Sequence, residues 1–116
     1  MIRHYNENGS IVVSESVYSD IAGAAASNCF GVKGMVARSV KDGLYHLLRK
    51  ESMSKGVRVE LNEDESISID LHIMVDNGVN LGAVGDAIIE EVRYVVANTT
   101  GTPVRDVNVY IDSVIG

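Results

Sequence analysis

Acidic side chains crowd around one short segment, which raises the question of a metal site. Glu60, Asp70 and the acidic run at 63–65 lie close together, and His72 follows Asp70 by two residues. Hard cations need several oxygens that converge on one point. Consecutive acids in a turn point in different directions, and the segment lacks the glycine and the alternating ligands of a calcium loop. We therefore predict a solvated turn that binds no metal and no cofactor.

Serine, cysteine and histidine could support nucleophilic catalysis, but their spacing does not favour it. No serine lies in a nucleophile elbow, and no histidine has a carboxylate partner at a recognisable spacing. The three histidines have separate predicted positions. His4 precedes the first predicted element, His46 lies in a predicted short helix, and His72 is predicted to be an exposed strand residue. Cys29 is the only cysteine, which favours a buried structural thiol in a reducing compartment. We predict a protein without catalytic residues.

A tetrapeptide of the GxxG type, GVKG at 31–34, raises the possibility of RNA binding. In KH domains such a loop clamps the nucleic-acid backbone between two helices. The simpler interpretation is a glycine that ends a helix, followed by a tight turn. The net charge of −6 disfavours nonspecific binding to phosphates. RNA binding through the loop from Gly31 to Gly34 and the basic segment 33–58 is therefore the alternative function.

Charge is distributed unevenly along the chain. Segment 33–58 has seven basic and two acidic residues, a net charge of +5, which leaves −11 for the rest. Such a segment more often faces the acidic part of its own chain or of a neighbouring subunit, but complementary patches of this kind can also steer contacts between copies. We predict an interaction surface with a basic side at Lys33, Arg38, Lys41, Arg49 and Lys50 and an acidic side at Glu63, Asp64 and Glu65.

The first half of the chain predicts a strand at 11–13 and then a helix. Ser14 is the expected N-cap, and Gly31 is the expected stop. Helical spacing predicts a packed face that contains the residues Val17, Ile21, Ala24, Ala25 and Asn28. Residues 31–50 are open between strand and helix, although the three leucines within 41–50 favour a short helix.

The second half has clearer patterns. Alternation of apolar and polar residues predicts two antiparallel strands at 57–61 and 67–75. In this pairing Leu61 lies opposite Ile67 and Arg58 opposite Asp70. A helix should run from an Asn80 cap to Gly101, before a last strand at 107–112. We predict one α+β domain over 9–116 after a flexible N-terminus at 1–8. Its order is β-α-(α)-β-β-α-β, and its helices pack on one face of a small, mostly antiparallel sheet.

Five stretches in order resemble the alkaline shock protein family, the envelope stress response family of Gram-positive bacteria. They are GSIVVSESVYSDIAGAAA at 9–26, GVKGM at 31–35, SKGVRVEL at 54–61, SIDLHIMVDNGVNL at 68–81 and TGTPVRDVNVYIDSV at 100–114. The resemblance implies a small α/β-type domain and a role in cell-envelope homeostasis or alkaline stress. For some members it also implies self-association and recruitment to the membrane by a separate anchor protein. It implies no enzymatic activity.

The sequence shows no pattern typical of a membrane-spanning helix or a signal peptide. No apolar run approaches the roughly 20 residues that a membrane-spanning helix needs. The first ten residues contain no apolar signal core. We predict a cytoplasmic, non-enzymatic binding or scaffolding protein that reaches the membrane only through a partner.

Overall fold

The computed structural model describes residues 2–38, 45–47 and 56–116 of the chain. These residues form two helices and seven strands, which follow one another in the order β-β-α-β-β-β-β-α-β. The elements are β1 (Ile2–Asn6), β2 (Gly9–Val13), α1 (Glu15–Ser27), β3 (Val32–Arg38), β4 (Tyr45–Leu47), β5 (Val57–Leu61), β6 (Ile67–Asp76), α2 (Leu81–Thr100) and β7 (Val104–Ile115).

Strand β6 organises the main sheet. Its first half pairs with β5 and its second half with β3, both antiparallel, while β7 runs parallel to it along the other edge. Strand β4 extends the sheet beyond β3. Leu61 lies opposite Ile67 and Arg58 opposite Asp70, so the predicted register is confirmed. The α+β class is confirmed as well. The parallel pairing of β7 was not predicted.

One face of this sheet forms the core. The inward residues of β6, Ile67, Ile69, Leu71, Ile73 and Val75, are fully buried. They pack with the buried side of α2, which consists of Val84, Ile88, Val92 and Val96. Met74, which strict alternation along β6 would place on the outward face, is also buried. Both helices pack against this apolar layer, which confirms that they lie on one face.

Helix α2 begins and ends as its sequence predicts. The Asn80 side chain accepts a hydrogen bond from the Ala83 amide at 2.9 Å, which satisfies one of the unpaired donors of the first turn. Gly101 ends the helix in the left-handed conformation, with φ of 72°. Gly82 and Gly85 both lie within the helix.

Helix α1 buries Ala25 of the predicted face, but the rest of its buried side differs from the prediction. Val17 is 40% exposed, whereas Tyr18 and Ala22 are completely buried. Ser14 occupies the N-cap position, but its side chain makes no capping hydrogen bond and lies 3.1 Å from the Ser16 hydroxyl. Small side chains surround much of this helix, so the apolar periodicity was a poor guide to which side would pack.

One strand, β1, precedes the first element that the sequence predicted, the strand at 11–13 that forms part of β2. Strand β1 lies within the segment assigned to a flexible N-terminus, and it pairs along its whole length with β2. Ile2 is buried in the core, and His4 Nε2 lies 3.2 Å from the Thr102 hydroxyl. Thr102 is also 2.7 Å from the buried Tyr18 hydroxyl. This chain of hydrogen bonds attaches the hairpin to both helical segments.

After the turn at Gly31, every described residue of the region 31–50 lies in a strand. The tetrapeptide GVKG starts at Gly31 and continues into β3, so it is not a loop between two helices, as the RNA-binding alternative requires. Tyr45–Leu47 form β4, which corrects the short helix predicted there. Residues 39–44 and 48–55 lie outside the described part of the chain.

Candidate functional site

The face of the sheet opposite the helices carries a row of polar cross-strand pairs. Strands β6 and β7 run parallel and in register there, so alternate residues of each strand lie side by side on this face. We call this row the outer face. The pairs are Ser68 with Asp106, Asp70 with Asn108, and His72 with Tyr110.

His72 makes two side-chain contacts on the outer face. Its Nδ1 atom is 2.8 Å from Asp112 Oδ2, and its ring stacks on Tyr110 with centroids 4.8 Å apart and planes 13° from parallel. Ile73 pairs with Ile111 and Met74 with Ser113, which leaves Asp112 as an extra residue in β7. Such a bulge can re-aim a side chain. We call His72, Tyr110 and Asp112 the aromatic platform.

The carboxylate partner of His72 is a correction to the sequence analysis. Asp112 is 40 positions away, and the two side chains meet only because β7 pairs with β6. A His–Asp pair can orient an imidazole for proton transfer, but catalysis would also need a nucleophile or a bound substrate group. No cluster of potential metal ligands occurs among the described residues. The arrangement is a flat, partly exposed surface, because Tyr110 is 46% exposed.

The neighbouring acids of the outer face are held in place by hydrogen bonds. Asp70 accepts a hydrogen bond from the Asn108 amide at 2.9 Å. Asp106 accepts from the Ser68 hydroxyl at 3.3 Å and from Arg105 Nε at 3.0 Å. Asp70 lies opposite Arg58 on β5, as predicted. The Arg58 guanidinium lies 3.9 Å from the Glu60 carboxylate. These contacts fix the side chains while leaving them near solvent.

The predicted acidic side of the interaction surface lies in the turn between β5 and β6. Glu63, Asp64 and Glu65 are all exposed, and Glu65 has a positive φ of 68°. Asp64 accepts hydrogen bonds from the Ser66 hydroxyl and amide. The hydroxyl contact is the larger cause, and together these bonds hold the pKa of Asp64 below its usual value.

Lys33 is the one member of the predicted basic side whose side chain the structure describes. It is exposed on β3, and its ammonium lies 3.4 Å from Asp76 at the end of β6. Arg38 ends β3, opposite Tyr45 of β4. Lys41, Arg49 and Lys50 lie outside the described residues. Whether the basic and acidic sides form one interaction surface stays a prediction.

Cys29 is half-buried after the end of α1. Its Sγ atom donates to the Ala25 carbonyl at 3.5 Å. Burial, and to a smaller extent the negative charge of Glu91, raise the pKa of the Cys29 thiol. Both effects disfavour the thiolate, which is the nucleophilic form.

Two cavities lie away from the outer face. A cleft of about 430 Å³ separates the β1 segment from the β5–β6 turn, and its walls include Arg3, Tyr5 and Glu65. A smaller cavity of about 180 Å³ lies beside Phe30, at the start of α2. The small cavity has almost entirely apolar walls, whereas the cleft mixes both signs of charge.

Comparison with known proteins identifies the family. A family model for the alkaline shock proteins, described by a cell envelope-related function, matches residues 3–115. The chain belongs to this family. The resemblance seen in the sequence is therefore confirmed, and the match extends through the β1–β2 hairpin.

Related proteins are similar over most of their length. The uncharacterized protein YloU of Bacillus subtilis is 40% identical over 107 residues, which cover 91% of this chain and 88% of the relative. The uncharacterized protein Spy1614 of Streptococcus pyogenes is 35% identical over 109 residues, 93% of this chain and 89% of the relative. No solved structure matches the chain. Neither helix of the described segments has the length and apolarity to cross a bilayer.

Proposed function

We propose that this alkaline shock protein family member is a non-catalytic, cytoplasmic binding protein. Its aromatic platform contacts a partner protein, and its copies associate with one another, so that it acts as a scaffold in a process related to the cell envelope. The family description supports the envelope part of the proposal. Binding through the platform is supported by the geometry of β6 and β7.

The single observation that carries the proposal is the stacked, half-exposed ring of Tyr110. His72 stacks against it, and Asp112 holds His72 in turn. Tyrosine supplies a large contact area at a small conformational cost, and such residues dominate the binding energy of many interfaces. A ring that is already fixed in the free protein loses little entropy on binding. The platform therefore has the properties of a binding anchor.

The charge of the outer face indicates what kind of partner fits. Glu60, Asp70, Asp106 and Asp112 are acidic, while Arg58 and Arg105 lie beside Glu60 and Asp106. A partner segment rich in arginine or lysine would be attracted, and an arginine could stack on Tyr110. Cytoplasmic segments that flank membrane helices are enriched in these residues. A membrane-anchored partner, which the family resemblance implies, matches this chemistry.

Site-specific crosslinking in the bacterium tests the proposal. A photoreactive phenylalanine analogue replaces Tyr110, and the control carries it at Tyr94, a 66% exposed tyrosine on α2. We expect one recurrent crosslinked protein from position 110, identified by mass spectrometry as having a basic cytoplasmic segment, and none from position 94. Its purified basic segment should bind the wild type and lose about tenfold or more in affinity with Tyr110→Ala. Equal crosslinking from both positions, or equal affinities, would contradict the proposal.

A further inference from the structure

Strand β7 is the longest strand of the described residues, and one of its two edges is free. Its only strand partner among those residues is β6. An edge strand exposes backbone N–H and C=O groups that can pair with another extended chain, so proteins usually shorten, twist or cover such edges. On β7 this protection is present near both ends and absent between them.

Arg93 of α2 protects the start of the edge. Its guanidinium donates to the Val104 carbonyl at 2.6 Å and to the Arg105 carbonyl at 3.1 Å, so both of these acceptors are occupied. Toward the other end, the extra residue Asp112 breaks the regular pairing with β6. Such a bulge bends a strand and turns its edge away from a neighbour. Between these two features lies a regular segment, 107–111, which we call the open edge.

The direction of the backbone groups in the open edge follows from the pairing with β6. Ile67 N–H donates to the Pro103 carbonyl at 2.9 Å, and Asn77 N–H donates to the Ile115 carbonyl at 2.8 Å, so the odd-numbered residues of β6 point at β7. In a parallel pair, a residue whose groups bond across lies opposite a residue whose own groups point away. The residues of the open edge that lie opposite odd-numbered residues of β6 are Val107, Val109 and Ile111. Their N–H and C=O groups therefore face the free edge, and no described residue bonds to them.

The two sides of the open edge differ in chemistry. On the outer face, Asp106 and Asp112 carry negative charge, of which Arg105 balances only part. On the helix side, Val109 and Ile111 are half-buried and pack against the core. A strand added here would place its residues alternately on these two sides. Basic residues suit the first side and apolar residues suit the second.

We propose that the open edge receives an extended segment of a partner protein, with alternating basic and apolar residues, as an additional strand of the sheet. In this mode of recognition the main-chain hydrogen bonds supply affinity and the alternate side chains supply specificity. The inference rests on the proposed function, because the basic side chains of the added strand would lie beside the aromatic platform and its acidic neighbours. It adds the backbone of the partner to what this surface recognises.

Peptides with methylated backbone nitrogens test the proposal. The probe is a short synthetic peptide in which arginine and valine alternate, and calorimetric titration measures its binding to the full chain. One derivative is methylated at every arginine nitrogen and the other at every valine nitrogen, so both keep all side chains and charges. Only one of these two sets of N–H groups can face β7, because alternate residues of a strand point to opposite edges. We expect one derivative to bind like the parent peptide and the other at least about tenfold more weakly, since it loses several backbone hydrogen bonds.

Three results would overturn the proposal. The first is equal binding of the two methylated derivatives, which would mean that the partner backbone is not paired. The second is equally tight binding of a peptide in which glutamate replaces arginine. The third is the absence of binding by the parent peptide at about 1 mM.

A pair of variants tests the same contact from the side of the protein. Val109→Pro removes one N–H of the open edge and leaves the pairing with β6 intact, because this N–H points away from β6. Val109→Ala trims the same side chain but keeps the N–H, so it should bind the parent peptide about tenfold more tightly than Val109→Pro. Equal affinities of the two folded variants would contradict the proposal. So would a dimer of the wild type that Val109→Pro abolishes, because a second copy would then cover the edge. Far-UV circular dichroism checks folding, and the methylated peptides test the wild type even if the proline variant does not fold.

Tyr110→Ala separates this inference from the proposed function. If the open edge pairs with the peptide, the difference between the two methylated derivatives should persist in Tyr110→Ala. A persistent difference with an affinity that does not depend on Tyr110 would contradict the platform alone. An affinity that depends on Tyr110 without any difference between the derivatives would contradict the open edge alone.

Discussion

The buried hydrogen bond between Tyr18 and Thr102 gives the sharpest test of how this fold is held together. Tyr18 is completely buried and Thr102 is 1% exposed, and their oxygens are 2.7 Å apart. Thr102→Val keeps the shape of the side chain but leaves the Tyr18 hydroxyl without this partner. An unsatisfied buried group costs about 1–3 kcal/mol, so we expect a loss of about 2 kcal/mol in the free energy of unfolding.

Tyr18→Phe should be milder, because Thr102 keeps its contact with His4 at 3.2 Å. Loss of a typical net hydrogen bond predicts about 1 kcal/mol. The double variant has no orphaned hydroxyl, so it should be no less stable than Thr102→Val alone. The coupling between the two positions should therefore be at least about 1 kcal/mol.

Urea unfolding measures these differences, with far-UV circular dichroism as the signal because the chain has no tryptophan. The slope of the free energy against urea should stay constant, which would confine the effect to stability. A loss of about 2 kcal/mol corresponds to a melting temperature roughly 8 °C lower for a domain of this size. Strictly additive losses, or a Thr102→Val variant as stable as the wild type, would refute the reasoning.

Three further predictions concern other parts of the chain. Gly31→Ala should lower the unfolding free energy by about 1–3 kcal/mol in urea, because φ is +87° and the new Cβ would crowd α2; full stability would argue against this close approach. Because the pKa of Cys29 is raised, its thiol should react more slowly with a disulfide reagent at neutral pH in the folded protein than in urea, and Glu91→Gln should speed the folded reaction slightly. Ser66→Ala should raise the pKa of Asp64 in a carbon-13 NMR titration. Folding lowers the pKa of Asp64, so its ionised carboxylate stabilises the fold at pH values above the pKa of the unfolded state. This stabilisation is lost as the pH falls through the pKa of the folded state.

The pairing of β5 with β6 was predictable because the alternation of apolar and polar residues is compatible with few registers. A slip of one residue would turn the buried row from Ile67 to Val75 toward solvent, so the apolar pattern sets the register. Helix α2 was predictable because Asn80 and Gly101 mark its two ends by local chemistry. In α1 the periodicity was ambiguous, since alanine and glycine occur on several sides. Tyr18 can be buried because its hydroxyl forms a hydrogen bond with Thr102, 84 residues away.

The candidate site was only half predictable, for a related reason. Alternation of apolar and polar residues along the two strands places His72, Tyr110 and Asp112 on outward positions. It contained no information on which strand β7 would pair with, and the stack exists only through that pairing. The bulge at Asp112 is likewise a property of the two strands together.

Strand β6 links stability and binding, and it also allows them to be separated. Its inward residues form the centre of the core, while His72 and Asp70 alternate with them on the outer face. Substitutions at inward positions should therefore reduce stability and binding together. Tyr110→Ala removes a half-exposed ring whose loss opens no core cavity, so it should reduce partner binding while changing the unfolding free energy by less than about 1 kcal/mol. A large loss of stability in Tyr110→Ala would mean that the stack serves mainly to hold β7 on the sheet.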